Sequence, residues 1–290
     1  MSNVFHASPP SGKRGAHYAS VSALCRAGFQ TLDRAFAGIA DFDVLDYMPI
    51  RTLRETLNAR LKSRQTTRSC ALVSSAGALR GSGLGADIDS HDLVLRFNDA
   101  PTRGYEQDVG SKTTVRIVNS QVMARATFNV SDPLYRDVIV VGWDPMSYVV
   151  DEPMEVLSQD KDFGPNYKKA RAHEPDTPFF LLSPVSVWRG WDALQNSTDV
   201  QLPKAPPSSG FLGLQLLVNF CGRVTAYEYV PSIRVTHRCH YYSNESSMGC
   251  TFGDWHPLAT EKQFALKINY ATDFDTVVNG KLQASGCVNS

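Results

Sequence analysis

Cys70-Ala71-Leu72-Val73-Ser74-Ser75-Ala76-Gly77 decides the fold, because four apolar residues of strand length break abruptly into small polar residues and a glycine. The same grammar repeats downstream. Leu93-Val94-Leu95-Arg96-Phe97 runs into Asn98, and Thr114-Val115-Arg116-Ile117-Val118 into Asn119-Ser120-Gln121. Val138-Ile139-Val140-Val141 leads to Trp143-Asp144, and runs at Phe179–Leu182 and Val224–Tyr229 continue the series. These runs are predominantly apolar, without a strict polar alternation, as strands covered on both faces are. Helical stretches are predicted between and after them, at about Val185 to Gln195 and Gly210 to Phe220. The pattern predicts an α/β fold with one buried, Rossmann-like sheet flanked by helices. In such sheets a ligand sits beyond the carboxyl ends of the strands, which marks Ser74-Ser75-Ala76-Gly77, Asn98, Asn119-Ser120-Gln121 and Trp143-Asp144 for attention. Taken singly, Ser, Gly and Asn also end strands simply because they make turns.

Upstream, Leu24, Phe29, Leu32, Phe36 and Ile39, then Leu53, Leu57 and Leu61, recur at helical spacing. They predict two helices separated near Met48-Pro49. Residues 1 to about 15 are rich in Ser, Pro, Gly and basic residues and read as disordered. The division that follows is a disordered stem remnant over 1–20 and one folded domain over 21–290.

The chain has 290 residues, 42% of them hydrophobic, enough for one sizeable core. Basic and acidic residues balance at 29 each, so no long-range field draws nucleic acid or an anionic membrane, and an anion must be caught by local geometry. Six cysteines without a CxxC pair argue against zinc and fit three disulfides, whose pairing composition leaves open. Three Asn-x-Ser/Thr sequons, at Asn129, Asn196 and Asn244, point the same way, to a secretory-pathway protein. Yet no run of about 18 apolar residues occurs and Met1 to Ser20 lacks a signal segment. The expectation that reconciles these is a truncated version of a membrane-anchored protein.

Two constellations carry chemistry. Pro206-Pro207-Ser208-Ser209-Gly210 runs directly into Phe211-Leu212-Gly213-Leu214, a capped helix start whose free N–H groups and dipole suit a carboxylate or phosphate. His256-Pro257-Leu258-Ala259-Thr260-Glu261-Lys262 supplies an imidazole, the side chain best matched to taking a proton from a hydroxyl near neutral pH. Cys239-His240-Tyr241-Tyr242 adds a second histidine ahead of Cys250. Asp-x-Asp occurs four times, at Asp41, Asp87, Asp160 and Asp273, too often to mark a cation site, so no metal is assigned. A dinucleotide enzyme lacks its Gly-x-Gly-x-x-Gly turn after the first strand.

The stretch from Cys70 to Gly77, through Asp89–Pro101, to Asp108–Thr114 closely resembles the large sialylmotif of animal-type sialyltransferases. Pro207 to Cys221 resembles the small motif, Cys239 to Tyr242 the third, and His256 to Glu261 the very small motif, all in the family's order. The wording around Asn119-Ser120-Gln121 and Trp143-Asp144-Pro145 looks most like the β-galactoside α2,6-sialyltransferase branch. This resemblance implies a modified glycosyltransferase-A-like fold and inverting, metal-independent transfer of sialic acid from a cytidine-monophosphate (CMP) donor to terminal galactose. No cofactor beyond that donor substrate is implied. It implies His256 as general base and His240 beside the departing phosphate. Ser75, Asn98, Asn119, Ser208, Ser209, Gly210 and Glu261 fall on the donor side, and Gln121, Trp143, Asp160 and Lys262 on the acceptor side. It pairs Cys70 with Cys221, Cys239 with Cys250, and Cys25 with Cys287. The implied setting is the Golgi lumen, as a type II membrane protein acting on glycoprotein or oligosaccharide acceptors. The rivals are another linkage or acceptor, such as N-acetylgalactosamine, and a non-catalytic glycan-binding homologue. Ser243 and Trp255 depart from the branch's usual residues.

Overall fold

The computed structural model describes residues 20–32, 49, 51–61, 64–145, 161–234, 236–247, 249–252 and 255–287. The apolar runs are strands: β1 (Ser69–Val73), β2 (Leu93–Phe97), β3 (Val115–Asn119), β4 (Ile139–Trp143), β5 (Phe179–Leu181) and β6 (Arg223–Tyr227), joined by β7 (Lys281–Ser285). They form one sheet in the order β5-β4-β3-β2-β1-β6-β7. Every neighbouring pair is parallel except β6 and β7. The chain walks outward from β1 to β5 and then returns to set β6 on the other side of β1. That reversal opens a crevice at the carboxyl ends, where α/β sheets bind ligands.

Successive strand residues face opposite sides, and here both sides are dry. Cys70 and Leu72 of β1 join one core with Leu95, Ile117, Leu214 and Phe264, while Ala71 and Val73 join another with Ile88, Val94 and Tyr241. This double coverage is what the predominantly apolar runs require. The helix Ser209–Phe220 lies across the first face, with Phe211, Leu212, Leu214, Leu216 and Leu217 all fully buried. Each such side chain contributes roughly 1.5–3 kcal/mol.

The structure corrects several boundaries. A helix over residues 20–27 stops at Gly28, which takes φ 64° while its N–H reaches the Leu24 carbonyl at 3.2 Å. Leu32 is therefore not helical; its N–H bonds to the Leu181 carbonyl at 2.8 Å, and its side chain is buried. Ser20, the last residue of the expected stem remnant over 1–20, already belongs to the helix over 20–27 and is buried, while residues 1–19 of that remnant and residues 33–48 lie outside the described residues. The second expected helix is Leu53–Arg60, started by Thr52 and Glu55, each capping the other's backbone N–H. β4 runs on through Trp143, which pairs in register with Asn119, so Trp143 closes the strand instead of following it. β6 ends early because Glu228 turns the chain at φ 49°, its carboxylate held by Ser232 Oγ (2.7 Å) and Arg234 Nε (3.1 Å). β7 was not expected from the sequence: on this edge strand only Leu282 and Ala284 are buried, a weaker signal than a continuous run.

Cystines join Cys25 to Cys287, Cys70 to Cys221, and Cys239 to Cys250. The second ties β1 to the residue that follows the helix Ser209–Phe220. Among the described residues no helix is long and apolar enough to cross a membrane.

Candidate active site

The site is assembled from the carboxyl ends of the strands. Asn98, just past β2, adopts φ 46°, a left-handed conformation that asparagine tolerates better than most residues. Its Oδ1 accepts the Asn119 N–H at 3.1 Å, and Asn119 Oδ1 in turn caps the short helix Ser120–Met123 through the Val122 N–H at 3.1 Å. Both amide oxygens are thus committed inside the protein. The two Nδ2 groups donate to nothing among the described residues, which leaves two adjacent donors at the crevice. Gln121 follows in the first turn, exposed.

Next to Asn119, Trp143 is only 2% exposed, and its Nε1 donates to Ser209 Oγ at 2.9 Å. Ser208 caps the helix Ser209–Phe220, its Oγ accepting the Phe211 N–H at 3.2 Å. The Glu261 carboxylate holds Ser208 twice, accepting its N–H at 2.7 Å and its Oγ–H at 2.5 Å. With Ser208 so occupied, the first-turn N–H groups of Ser209 and Gly210 are the ones left for an anion. Burial pushes the Glu261 carboxyl up to about 7 against the opposing Ser208 hydrogen bonds. Tyr229 packs beneath, its ring 3.2 Å from where a Gly210 Cβ would stand and its hydroxyl without a partner among the described residues. Burial, then the nearby Glu261 charge, raises the Tyr229 phenol well above its usual range.

His256 meets the same turn. Its Nδ1 lies 2.8 Å from the Pro206 carbonyl, and its ring centroid is 6.3 Å from that of Trp143. A carbonyl can only accept, so Nδ1 carries the proton and the neutral ring keeps its lone pair on Nε2. Burial lowers the His256 pKa, against the Pro206 hydrogen bond, which favours that neutral form. Lys262, half-buried on the following helix Leu258–Lys267, is likewise lowered by burial.

On the other side of the crevice, the turn after β1 meets the third-motif segment. The Tyr241 N–H donates to the Ser75 carbonyl at 3.1 Å, and Ala76 forms an antiparallel bridge with His240. His240 stacks on Tyr242 with centroids 5.1 Å apart, and Tyr242 hydrogen-bonds the Ser75 side chain. Gly77 makes this approach possible: a Cβ there would stand 2.3 Å from the Arg238 carbonyl oxygen.

Ten of the expected residues thus fall into two groups. Asn98, Asn119, Trp143, Ser208, Ser209, Gly210, His256 and Glu261 form one chain of contacts, and Ser75 with His240 the other. Asp160 lies outside the described residues. Glu261 and Trp143 are buried behind the Ser208–Gly210 turn, not exposed on the crevice wall. Sequence reasoning passed over the Pro206 carbonyl, Tyr229 and Arg116. Only Arg116 carried a signal, a charge inside an otherwise apolar strand. Among the described residues no group of three or more His, Cys, Asp or Glu gathers as a metal cluster would.

A single parallel-dominated sheet, a reversal of strand order beside β1 and a capped helix start at the carboxyl ends define the class as an α/β protein with its candidate ligand site at the strand ends. The model of Glycosyltransferase family 29 (sialyltransferase) matches residues 41–272. The chain belongs to that family. It is 41% identical over 280 residues to the Bos taurus beta-galactoside alpha-2,6-sialyltransferase 2, covering 95% of this chain and 55% of the relative. The Takifugu rubripes protein of the same name is 47% identical over 222 residues, covering 76% of this chain and 41% of the relative. The Homo sapiens protein of that name is 40% identical over 280 residues, covering 95% and 52%. The chain therefore spans about half the length of the curated relatives it matches. Among solved structures, a mammalian sialyltransferase superposes with TM-score 0.53 at 19% identity, covering 90% of this chain and 91% of that one, a likeness of fold.

Proposed function

We propose that this chain transfers sialic acid from CMP-sialic acid to the terminal galactose of glycoprotein or oligosaccharide acceptors, forming an α2,6 linkage with inversion. The observation that carries the reading is the fixed tautomer of His256, whose Nδ1–H is anchored on the Pro206 carbonyl. Nε2 is then the basic atom. It takes the proton from the acceptor hydroxyl as that oxygen attacks the anomeric carbon of the sialic acid. The bond from that carbon to the phosphate oxygen breaks with both electrons, and CMP departs. The Nδ2 donors of Asn98 and Asn119 and the Ser75 turn hold the nucleotide. The Ser209 and Gly210 N–H groups take the sugar carboxylate, and His240 faces the departing phosphate. Glu261, Ser208 and Trp143 act behind these groups by fixing the turn, and Gln121, Lys262 and Asp160 remain assigned to the acceptor.

The mechanism asks for no divalent cation, because hydrogen-bond donors carry the one leaving phosphate. Family membership and the names of the relatives support the substrate pair. Three cystines support an oxidising compartment, the Golgi lumen, for the full-length protein as a type II membrane enzyme.

The test incubates the purified chain with labelled CMP-sialic acid and a panel of galactosides and N-acetylgalactosaminides, with and without chelator. The expected result is chelator-insensitive transfer to galactosides with 6-linked product. A strict cation requirement, or product on another hydroxyl, contradicts the reading.

A further inference from the structure

We infer that Arg116 is a positioning residue that sets the donor-binding geometry of Asn98. The inference rests on the nucleotide reading of the crevice and adds a residue to it. Arg116 is the second residue of β3 and is 1% exposed, a cation where an aliphatic side chain packs at far lower cost. Within hydrogen-bond reach its guanidinium finds no carboxylate among the described residues. Its Nη1 donates to the carbonyls of Asn98 (2.8 Å), Ala100 (3.0 Å) and Phe97 (3.4 Å). The nearest acidic residue on that turn, Asp99, is paired with Arg125 at 2.6 Å. Tyr135 covers the guanidinium carbon at 5.9 Å from its ring centroid. Burial lowers the Arg116 pKa, although Tyr135, Tyr241, Asp99 and Tyr242 favour its charge.

The three carbonyls belong to one tight turn, and at its centre Asn98 holds φ 46°. A left-handed asparagine costs free energy unless its surroundings fix it. Two bonds fix the amide side, Asn98 N–H to the Ile117 carbonyl at 2.8 Å and Asn119 N–H to Asn98 Oδ1 at 3.1 Å. Arg116 fixes the carbonyl side. Together they leave Asn98 Nδ2 as the outward-facing donor. All three carbonyls are reached from Nη1, the far end of the guanidinium, and a lysine side chain ends one bond short of that nitrogen, so its ammonium cannot take over the same contacts from the same backbone position. Arg116 touches no substrate in this scheme; it acts through the backbone of residue 98.

The experiment measures CMP binding by calorimetry to the wild-type chain, Arg116→Lys, Asn98→Ala and the double variant, with donor KM and kcat measured in parallel. The expected result is at least a tenfold weaker CMP Kd and a matching rise in donor KM for Arg116→Lys, with kcat and acceptor KM within about threefold. On the Asn98→Ala background the same substitution should cost less than threefold, because its effect passes through residue 98. Arg116→Lys binding CMP within twofold of wild type overturns the inference, as does a loss that adds in full to Asn98→Ala. Should the Lys variant not fold, arginine side-chain NMR of the wild-type protein decides: Arg116 signals that shift during CMP titration support the role, and signals that stay put overturn it. A wild-type chain that binds no CMP defeats the nucleotide reading itself, an outcome separate from the others.

Discussion

The side chain of His256 concentrates the account, and its environment sets a direction for the pH profile. Burial lowers its pKa below the ordinary 6.5, so the neutral base persists into mildly acidic solution. Activity is lost only as pH falls through that lowered value. The acid limb of kcat/KM should therefore lie below pH 6.5, and a limb centred above it contradicts the assignment. Asn98, Asn119 and the 208–210 turn were legible in the sequence because polar residues at strand ends and a capped helix start are local signals, whereas His240 was marked only through the family resemblance. The Pro206 carbonyl that fixes the His256 tautomer was not, since any residue there offers a carbonyl and only tertiary approach decides which one is used. Tyr229 was hidden for a related reason: it reads as one more aromatic at the end of a strand run, and only the turn at Glu228 takes it out of the sheet and under Gly210.

Between elements, Glu261 joins the helix Leu258–Lys267 to the start of the helix Ser209–Phe220. Its carboxyl is raised from 4.5 to about 7 by burial. Between those values the folded chain keeps a proton that the unfolded chain has released, so this group's contribution to stability declines as pH rises through that window. Glu261→Gln removes the titration. The Tm of wild type relative to the variant should fall steadily from about pH 4.5 to about pH 7, and parallel curves contradict the burial argument. The Cys70–Cys221 bond closes a loop of 151 residues. Removing it by a double alanine substitution should cost on the order of 4–5 kcal/mol by chain entropy, read as a large drop in Tm; an unchanged Tm shows that the bond is dispensable. Strands β1 to β6 could be read from apolar runs because both faces are covered. The helix Leu258–Lys267 and β7 could not, since the first is short and mixed in polarity and the second alternates over five residues.

Across the whole molecule, four motifs far apart in sequence meet at one crevice because the sheet reverses direction beside β1 and cystines bind its parts together. The sequence predicted this convergence only through the family resemblance; local pattern alone placed strands but not their order. All three sequon asparagines, Asn129, Asn196 and Asn244, are exposed in the folded chain. Secreted from a glycosylating host, the chain should lose mass on treatment with an amidase that removes N-linked glycans. No mass change there counts against the secretory setting. The most direct measurement of the central claim compares wild type with His256→Ala for both CMP binding and sialic acid transfer to a β-galactoside. The account expects unchanged CMP affinity and a rate lower by about 10²–10⁴-fold. Transfer at near wild-type rate by a folded His256→Ala protein contradicts it.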